Sequence, residues 1–158
     1  MPGPLTAEDR LAIMDVCARY SWGRDGGDVD LFLSVFTLDA RFGPGEGDAG
    51  HDAIRQGQAR FQGDSAFAGG QHHMAQYRIE GDSERAEVWA YVARLHRIPG
   101  TTNSGIIWQG YTTDTLVKRA GRWDIQVRRI HNADELQARH FADEPRSDDP
   151  PRLYDPGA

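Results

Sequence analysis

Two kinds of side chain in this sequence could exchange a proton with a small molecule. One is an aspartate that follows the first apolar-periodic run, and the other is a pair of adjacent histidines near the middle of the chain. A carboxylate on one ring nitrogen of a histidine fixes its tautomer and stabilises its cation, so Asp25 with His72 or His73 would make a general base. Because side chains alternate along a strand, only one of the two histidines can enter the interior, and the pattern leaves both open.

The element that would position Asp25 is a predicted helix over residues 7–24, with Thr6 as its N-cap. Its apolar residues recur at the spacing of a buried helix face, which predicts that the Tyr20 ring points inward. They are Ile13, Val16, Cys17 and Tyr20. Asp25 lies five residues further on, so it can approach the same interior. The alternative interpretation is a glycine stop with solvated aspartates around it.

Two shorter helices and a strand are predicted next. Asp28 is the N-cap of a second helix that ends near Thr37. Residues 39–42 then resemble a short strand, and the glycines of residues 43–47 favour a turn or mobile loop. A third helix is predicted over residues 51–61.

From residue 71 the apolar period changes from that of a helix to that of a strand. Four strands are predicted, over residues 72–80, 86–98, 105–118 and 122–130. Turn signals between them favour two hairpins. Three N-terminal helices packed on a curved antiparallel sheet make an α+β fold, a cone with an internal pocket. We predict a single domain over residues 1–143 and a polar, proline-rich tail over residues 144–158.

Composition and charge argue against several classes of protein. The net charge of −6 and the lack of a Lys/Arg run argue against nucleic acid as a partner. Cys17 is the single cysteine, which excludes an internal disulfide and a zinc site built on cysteines. No apolar run has the length that a membrane span needs, and the N-terminus lacks a basic region followed by an apolar one. A cytoplasmic protein that does not bind membranes is therefore expected.

Neither a metal nor an organic cofactor is expected. The histidines outside the central pair are too scattered in the sequence to indicate a metal site. They are His51, His96, His131 and His140. No glycine-rich phosphate loop follows a predicted strand, so a nucleotide cofactor is not indicated.

Five short motifs together resemble the SnoaL-like branch of the NTF2-like superfamily, over residues 6–133. They are Arg-Tyr-x4-Asp-Gly-Gly-Asp (19–28), Leu-x2-Phe-Thr-x-Asp-Ala (33–40), Gln-His-His-Met-Ala-Gln-Tyr-Arg-Ile-Glu (71–80), Gly-Tyr-x2-Asp (110–114) and Gly-x-Trp-x-Ile-x2-Arg (121–128). The resemblance implies a cone-shaped α+β fold. Members of this superfamily include scytalone dehydratase, bile acid 7α-dehydratase, hexachlorocyclohexane dehydrochlorinase, ketosteroid isomerase and polyketide cyclases.

The resemblance also implies roles for particular residues. In the dehydratase and dehydrohalogenase members, a strand histidine paired with the aspartate that ends the first helix removes a proton, and a tyrosine and an arginine assist. By position these are His72, Asp25, Tyr20 and Arg128, with His73 as the alternative histidine. The chain departs from the family pattern at Gln76, where an asparagine is frequent. It also lacks the paired acids of the ketosteroid isomerases, which makes steroid isomerisation a poorer match.

Further residues are predicted around the substrate. His73, Tyr91, Trp108 and Asp114 are assigned to substrate binding, although Asp114, which is flanked by threonines, also fits an outward strand position. Arg128 and Arg129 pose the same question of alternation as the histidines. The buried one could instead form a structural bridge with Asp25 or Asp114.

The reaction that follows from this resemblance is a cofactor-free elimination or isomerisation of a small, largely apolar or aromatic molecule. His72 would take a C–H proton, and Tyr20 and Arg128 would bind the group that gains negative charge. The alternatives are a polyketide cyclase or an epoxide hydrolase with Asp25 as the base. A non-catalytic ligand-binding protein would be favoured if Trp89, Tyr91 and Trp108 filled the interior. Because helices cover only one face of the sheet, a homodimer or homotrimer is also expected.

Overall fold

The computed structural model describes residues 1–64, 69–98 and 100–133. The helices are α1 (Ala7–Gly26), α2 (Val29–Leu33) and α3 (Gly50–Gly63). The strands are β1 (Phe36–Gly43), β2 (Asp48–Ala49), β3 (Gln71–Gly81), β4 (Arg85–Arg97), β5 (Ser104–Arg119) and β6 (Arg122–Asn132). His140, the predicted domain boundary at residue 143 and the predicted tail lie outside the described residues.

All of these strands join one sheet, in the order β2-β1-β6-β5-β4-β3. The four long strands β3 to β6 were predicted, and each pairs antiparallel with the next along the chain. One pair differs from the predicted antiparallel arrangement of the long strands, because β1 pairs parallel with β6. No tight turn joins β1 to β6, so no hairpin sets their relative direction.

The chain enters the sheet earlier than the apolar pattern indicated. Helix α2 ends at Leu33 rather than near Thr37, and Phe36 already belongs to β1. The backbone N–H of Ile125 donates to the carbonyl of Val35 at 2.7 Å, so the last strand pairs with residues that have helical spacing. Tertiary pairing has overridden the local pattern here.

Helix α1 is fixed to the sheet by a buried aspartate at its start. Thr6 and Asp9 form a capping box, and Asp9 Oδ1 also accepts from Lys118 Nζ at 2.7 Å and Trp123 Nε1 at 3.0 Å. These hydrogen bonds hold the pKa of Asp9 well below its usual range, and the one from Lys118 has the largest effect. The helix ends at Gly26 and is followed by Gly27, whose φ of 76° makes a left-handed C-cap. Asp25 is thereby fixed in the last turn.

The core lies between the helices and the concave face of the sheet. Four aromatic rings from α1, α2 and β1 meet there, with centroids 5.3–6.2 Å apart. They are Tyr20, Phe32, Phe36 and Phe42. Such edge and tilted contacts lock each ring against its neighbours. None of the described helices combines the length and apolar composition that crossing a membrane requires.

The close approach of α1 to α2 depends on Gly23. A Cβ at this position would lie 2.5 Å from the backbone nitrogen of Phe32. We expect Gly23→Ala to lower the free energy of unfolding by about 1–3 kcal/mol, because the two helices must move apart. Gly26→Ala, in the same helix but with no heavy atom within 4 Å, is the matched control and should not destabilise the protein. Urea unfolding of both variants measures the difference, and equal stabilities would contradict the proposed contact.

Candidate active site

Asp25 and His72 meet through two hydrogen bonds. His72 Nδ1 lies 2.5 Å from Asp25 Oδ1, and the backbone N–H of His72 donates to Oδ2 at 2.7 Å. The Asp25 side chain is 17% exposed and the His72 side chain is 11% exposed. Because a carboxylate only accepts hydrogen bonds, Nδ1 is assigned as the protonated nitrogen of the neutral ring. Nε2 then has a lone pair for a substrate.

His72 forms part of the wall of a cavity of about 400 Å³ between the helices and the sheet. Most of the cavity wall is apolar or aromatic: Phe61, Met74, Val92, Ile107, Trp108 and Ile130. Its polar members besides His72 are Tyr20, Arg24, Arg94 and Thr112. Thr112 Oγ1 is buried and has no hydrogen-bond partner among the described residues. The cavity therefore suits a small apolar molecule with a few polar groups.

His73 points away from this cavity. It is exposed and lines a second groove of about 420 Å³, together with Trp22, Asp25 and the other side of the strand at His72. Its Nε2 is 3.4 Å from Gln71 Oε1. The structure therefore does not bring His73, which was assigned to substrate binding, into the wall of this cavity, because alternation along β3 turns neighbouring side chains to opposite faces.

A β-bulge determines which histidine faces inward. Between Ala75 and Arg78 two residues of β3 oppose one residue of β4, and Gln76 has a φ of 57°. Plain alternation from the buried Ile79 would turn His73 inward. The extra residue changes the phase, so that His72 and Ile79 face the same interior.

Arg128 and Asp114 form a buried ion pair outside the cavity wall. Arg128 Nε donates to Oδ1 at 2.9 Å and Nη2 to Oδ2 at 2.6 Å, and both side chains are fully buried. The predictions that Arg128 and Asp114 contact the substrate were therefore wrong, as was an outward Asp114. The two residues are opposite each other on β5 and β6, which makes this pairing the direct way to neutralise both charges. Arg129 turns elsewhere and donates to the carbonyl of Gly45.

Arg128 supports the cavity from behind. Its guanidinium carbon lies 4.0 Å from the centroid of the Tyr20 ring, and Nη2 donates to Cys17 Sγ at 3.4 Å. Burial alone would lower the pKa of Arg128, but the Asp114 carboxylate outweighs it and holds that pKa above its ordinary value. Burial also raises the pKa of the Cys17 thiol to about 11. Arg128 thus remains charged and fixes the Tyr20 ring beside His72.

The aromatic residues of the sheet do not fill the interior. Tyr91 is 57% exposed on the outer face of β4, so its assignment to substrate binding was wrong; Ala90 and Val92 are the inward neighbours on this strand. Trp89 also faces outward, where Arg78 stacks on it at 4.7 Å. Trp108 lines the cavity, and its assignment to substrate binding stays a prediction.

Most residues of the cavity wall were not singled out from the sequence, and three of them lie together. These three are Arg24, Phe61 and Arg94. The carbons of the two guanidinium groups lie 3.8 Å and 4.9 Å from the Phe61 ring centroid. Arg24 directly precedes Asp25, and this adjacency was the available signal. The described residues contain no group of three or more His, Cys, Asp or Glu side chains placed to share a metal ion.

Comparison with known proteins relates this fold to a family. The profile of a family described as a SnoaL-like domain matches residues 5–129. A protein of unknown function with a cystatin-like fold from Nostoc punctiforme is 26% identical, with a TM-score of 0.73 over 80% of this chain and 92% of that chain. A candidate scytalone dehydratase from Novosphingobium aromaticivorans is 27% identical, with a TM-score of 0.63 over 78% and 83%.

A third solved structure, an NTF2-like protein with a cystatin-like fold from Novosphingobium aromaticivorans, shares the fold at 19% identity. Its TM-score is 0.67 over 80% of this chain and 83% of that chain. None of the curated proteins matches this sequence. The predicted α+β cone, with helices packed on a curved sheet, is confirmed.

Proposed function

Because this chain belongs to the SnoaL-like domain family, we propose that it is a cofactor-independent lyase or isomerase acting on a small, largely apolar molecule in the cavity beside His72. The observation that carries the proposal is the imidazole in the cavity wall, held through Nδ1 by Asp25. The likeness to a candidate scytalone dehydratase supports elimination. Because one fold can carry several activities, the residues of the site decide between them.

In the proposed step, Nε2 of His72 takes a proton from a carbon next to an electron-withdrawing group. In an elimination, the C–H electron pair becomes a C=C bond, and the leaving group departs from the neighbouring carbon with its own bonding pair. In an isomerisation, the proton returns at a different carbon. Asp25 stabilises the imidazolium that forms, as a carboxylate on Nδ1–H does in other general-base pairs.

The group that gains negative charge needs hydrogen-bond donors. Tyr20 and Thr112 carry hydroxyl groups and line the same cavity as His72. The Tyr20 ring stands at 75° to the imidazole, with centroids 6.3 Å apart. We assign to Tyr20 the donor role at a carbonyl oxygen, hydroxyl or halide, and Arg128 acts through Tyr20 by fixing its ring.

The alternative enzymes, a polyketide cyclase or an epoxide hydrolase, would use Asp25 as the base. Both oxygens of Asp25 already accept hydrogen bonds from His72, which favours an orienting role. A non-catalytic ligand-binding protein is the remaining alternative. Its premise was an interior filled by Trp89, Tyr91 and Trp108, but two of these residues face outward.

We expect the wild-type protein in D₂O to exchange or eliminate at one stereochemically defined C–H of a β-hydroxy ketone or a halogenated alicyclic compound. The reason is that a single base faces the cavity from a fixed position. Proton NMR of a substrate panel measures both outcomes. The control is His72→Ala under the same conditions. Reaction at the same rate in this variant, or none with any compound of the panel, would contradict the proposal.

A further inference from the structure

Two arginines from different elements reach the cavity that contains His72. Arg24 comes from the last turns of α1, and Arg94 comes from β4, opposite His72 in the strand register. Both guanidinium groups stand over Phe61, within 5 Å of its ring centroid. Two cationic side chains therefore line a cavity whose remaining wall is mostly apolar.

The protein supplies little negative charge to Arg24. Its Nη1 donates to the neutral amide oxygen Oε1 of Gln58 at 2.8 Å, and its Nε is buried with no hydrogen-bond partner among the described residues. Arg24 forms no ion pair with any of the described residues. The adjacent Asp25 is already bound to His72. A partly buried guanidinium in this state gains most from an anionic partner.

The two arginines also disfavour each other. Burial lowers the pKa of Arg94, and the charge of Arg24 lowers it further, while Asp25 and Asp64 act in the opposite direction. An anion between the two guanidinium groups would relieve this repulsion. Arginine presents several N–H donors in one plane, which matches the two oxygens of a carboxylate.

We propose that the natural ligand carries a carboxylate that binds Arg24 and Arg94, attached to an apolar ring system that packs on the aliphatic and aromatic wall. This inference rests on the proposed function, of which it narrows the substrate class. The carboxylate is a binding handle at one end of the ligand, and the reacting C–H lies toward His72 Nε2. The positive charge of the cavity thus selects organic acids over neutral molecules of the same shape.

The competing explanation is that the arginines only hold Phe61 by cation–π contacts. The chain offers a matched control for it. Arg78 stacks on Trp89 at 4.7 Å on the outer face of the sheet, away from the cavity. Arg78→Gln removes a cation–π contact of the same kind and leaves the proposed anion site unchanged.

Isothermal titration with 1-naphthoate and its neutral isostere 1-naphthamide at pH 7 tests the proposal. We expect wild type to bind 1-naphthoate at least about tenfold more tightly, because only the acid forms charge-assisted hydrogen bonds. Arg24→Gln and Arg94→Gln should each remove most of this preference, and Arg78→Gln should keep it. Equal affinities for the two ligands, or no binding of either, would overturn the proposal. If a variant fails to fold, titrations of the wild-type protein at increasing salt concentration test the proposal instead. Added salt should weaken binding of 1-naphthoate but not of 1-naphthamide.

His72→Ala separates this inference from the proposed function. The variant should keep the preference for 1-naphthoate, because His72 is not part of the anion site. If wild type prefers 1-naphthoate but turns over no substrate, the anion site is supported and the proposed enzymatic function is contradicted. If neutral substrates are turned over in a reaction that depends on His72, and 1-naphthoate is not preferred, the enzymatic function is supported and the anion site is contradicted.

Discussion

His72→Ala is expected to lower kcat/KM for an identified substrate by a factor of about 10²–10⁴, the usual contribution of a positioned general base. The physical reason is that this variant removes the only imidazole that lines the cavity among the described residues. His73→Ala is the matched control, since its ring lies on the opposite face of β3 and its loss should change the rate less than twofold. Steady-state kinetics on both variants measures the difference.

Asp25→Asn extends the same prediction to the partner. The amide can still approach Nδ1, but its NH₂ group favours a ring that is protonated on Nε2, which is the wrong tautomer for a base in the cavity. The expected loss is again about 10²–10⁴ in kcat. A much larger loss for Asp25→Asn than for His72→Ala would instead favour the cyclase or hydrolase reaction. Full activity in His72→Ala would contradict the assignment.

Arg128→Met is expected to destabilise the fold by about 3–5 kcal/mol, because it leaves the Asp114 carboxylate buried without its counter-charge. The measurement is urea unfolding at neutral pH, with the slope of the transition compared to confirm that only stability has changed. The same variant should lower turnover in the fraction that folds, since the Tyr20 ring loses its cation at 4.0 Å.

The double variant Arg128→Met/Asp114→Leu tests the cause of that loss. If the uncompensated charge is responsible, removing both charges should recover most of the stability, as apolar replacements of buried ion pairs often do. A double variant as unstable as the sum of both single variants would contradict this explanation and point to lost packing around Tyr20.

The helices and the long strands were accessible from the sequence because they depend on local periodicity, whereas the assignment of His72 as the partner of Asp25 came from the resemblance of the motifs to a family. Helix α1 has an N-cap, an apolar stripe and a glycine end, and strands β3 to β6 are separated by turn residues. These signals are contained within each segment. The start of β1 was misplaced because Val35 and Phe36 have helical spacing, and pairing with a strand almost ninety residues away decides their conformation.

The remaining site residues could not be assigned because their positions depend on which strands are neighbours. Arg128 binds Asp114 only because β5 and β6 place them opposite each other, a register that no local pattern gives. Arg94 is a charged residue in a strand whose other inward positions are apolar, so alternation indicates its direction but not its role. Tyr91 was misassigned because aromatic strand residues suit both a pocket wall and an exposed sheet face.

The bulge at Gln76 has a consequence for comparing this chain with its relatives. The residues before and after it are already in register with β4, so the extra residue is accommodated locally. A homologous strand that is one residue shorter at this point would present the equivalents of His72 and Ile79 in the same directions. An alignment should therefore place a single-residue gap at position 76, and a gap-free alignment of such a pair would match the wrong histidine.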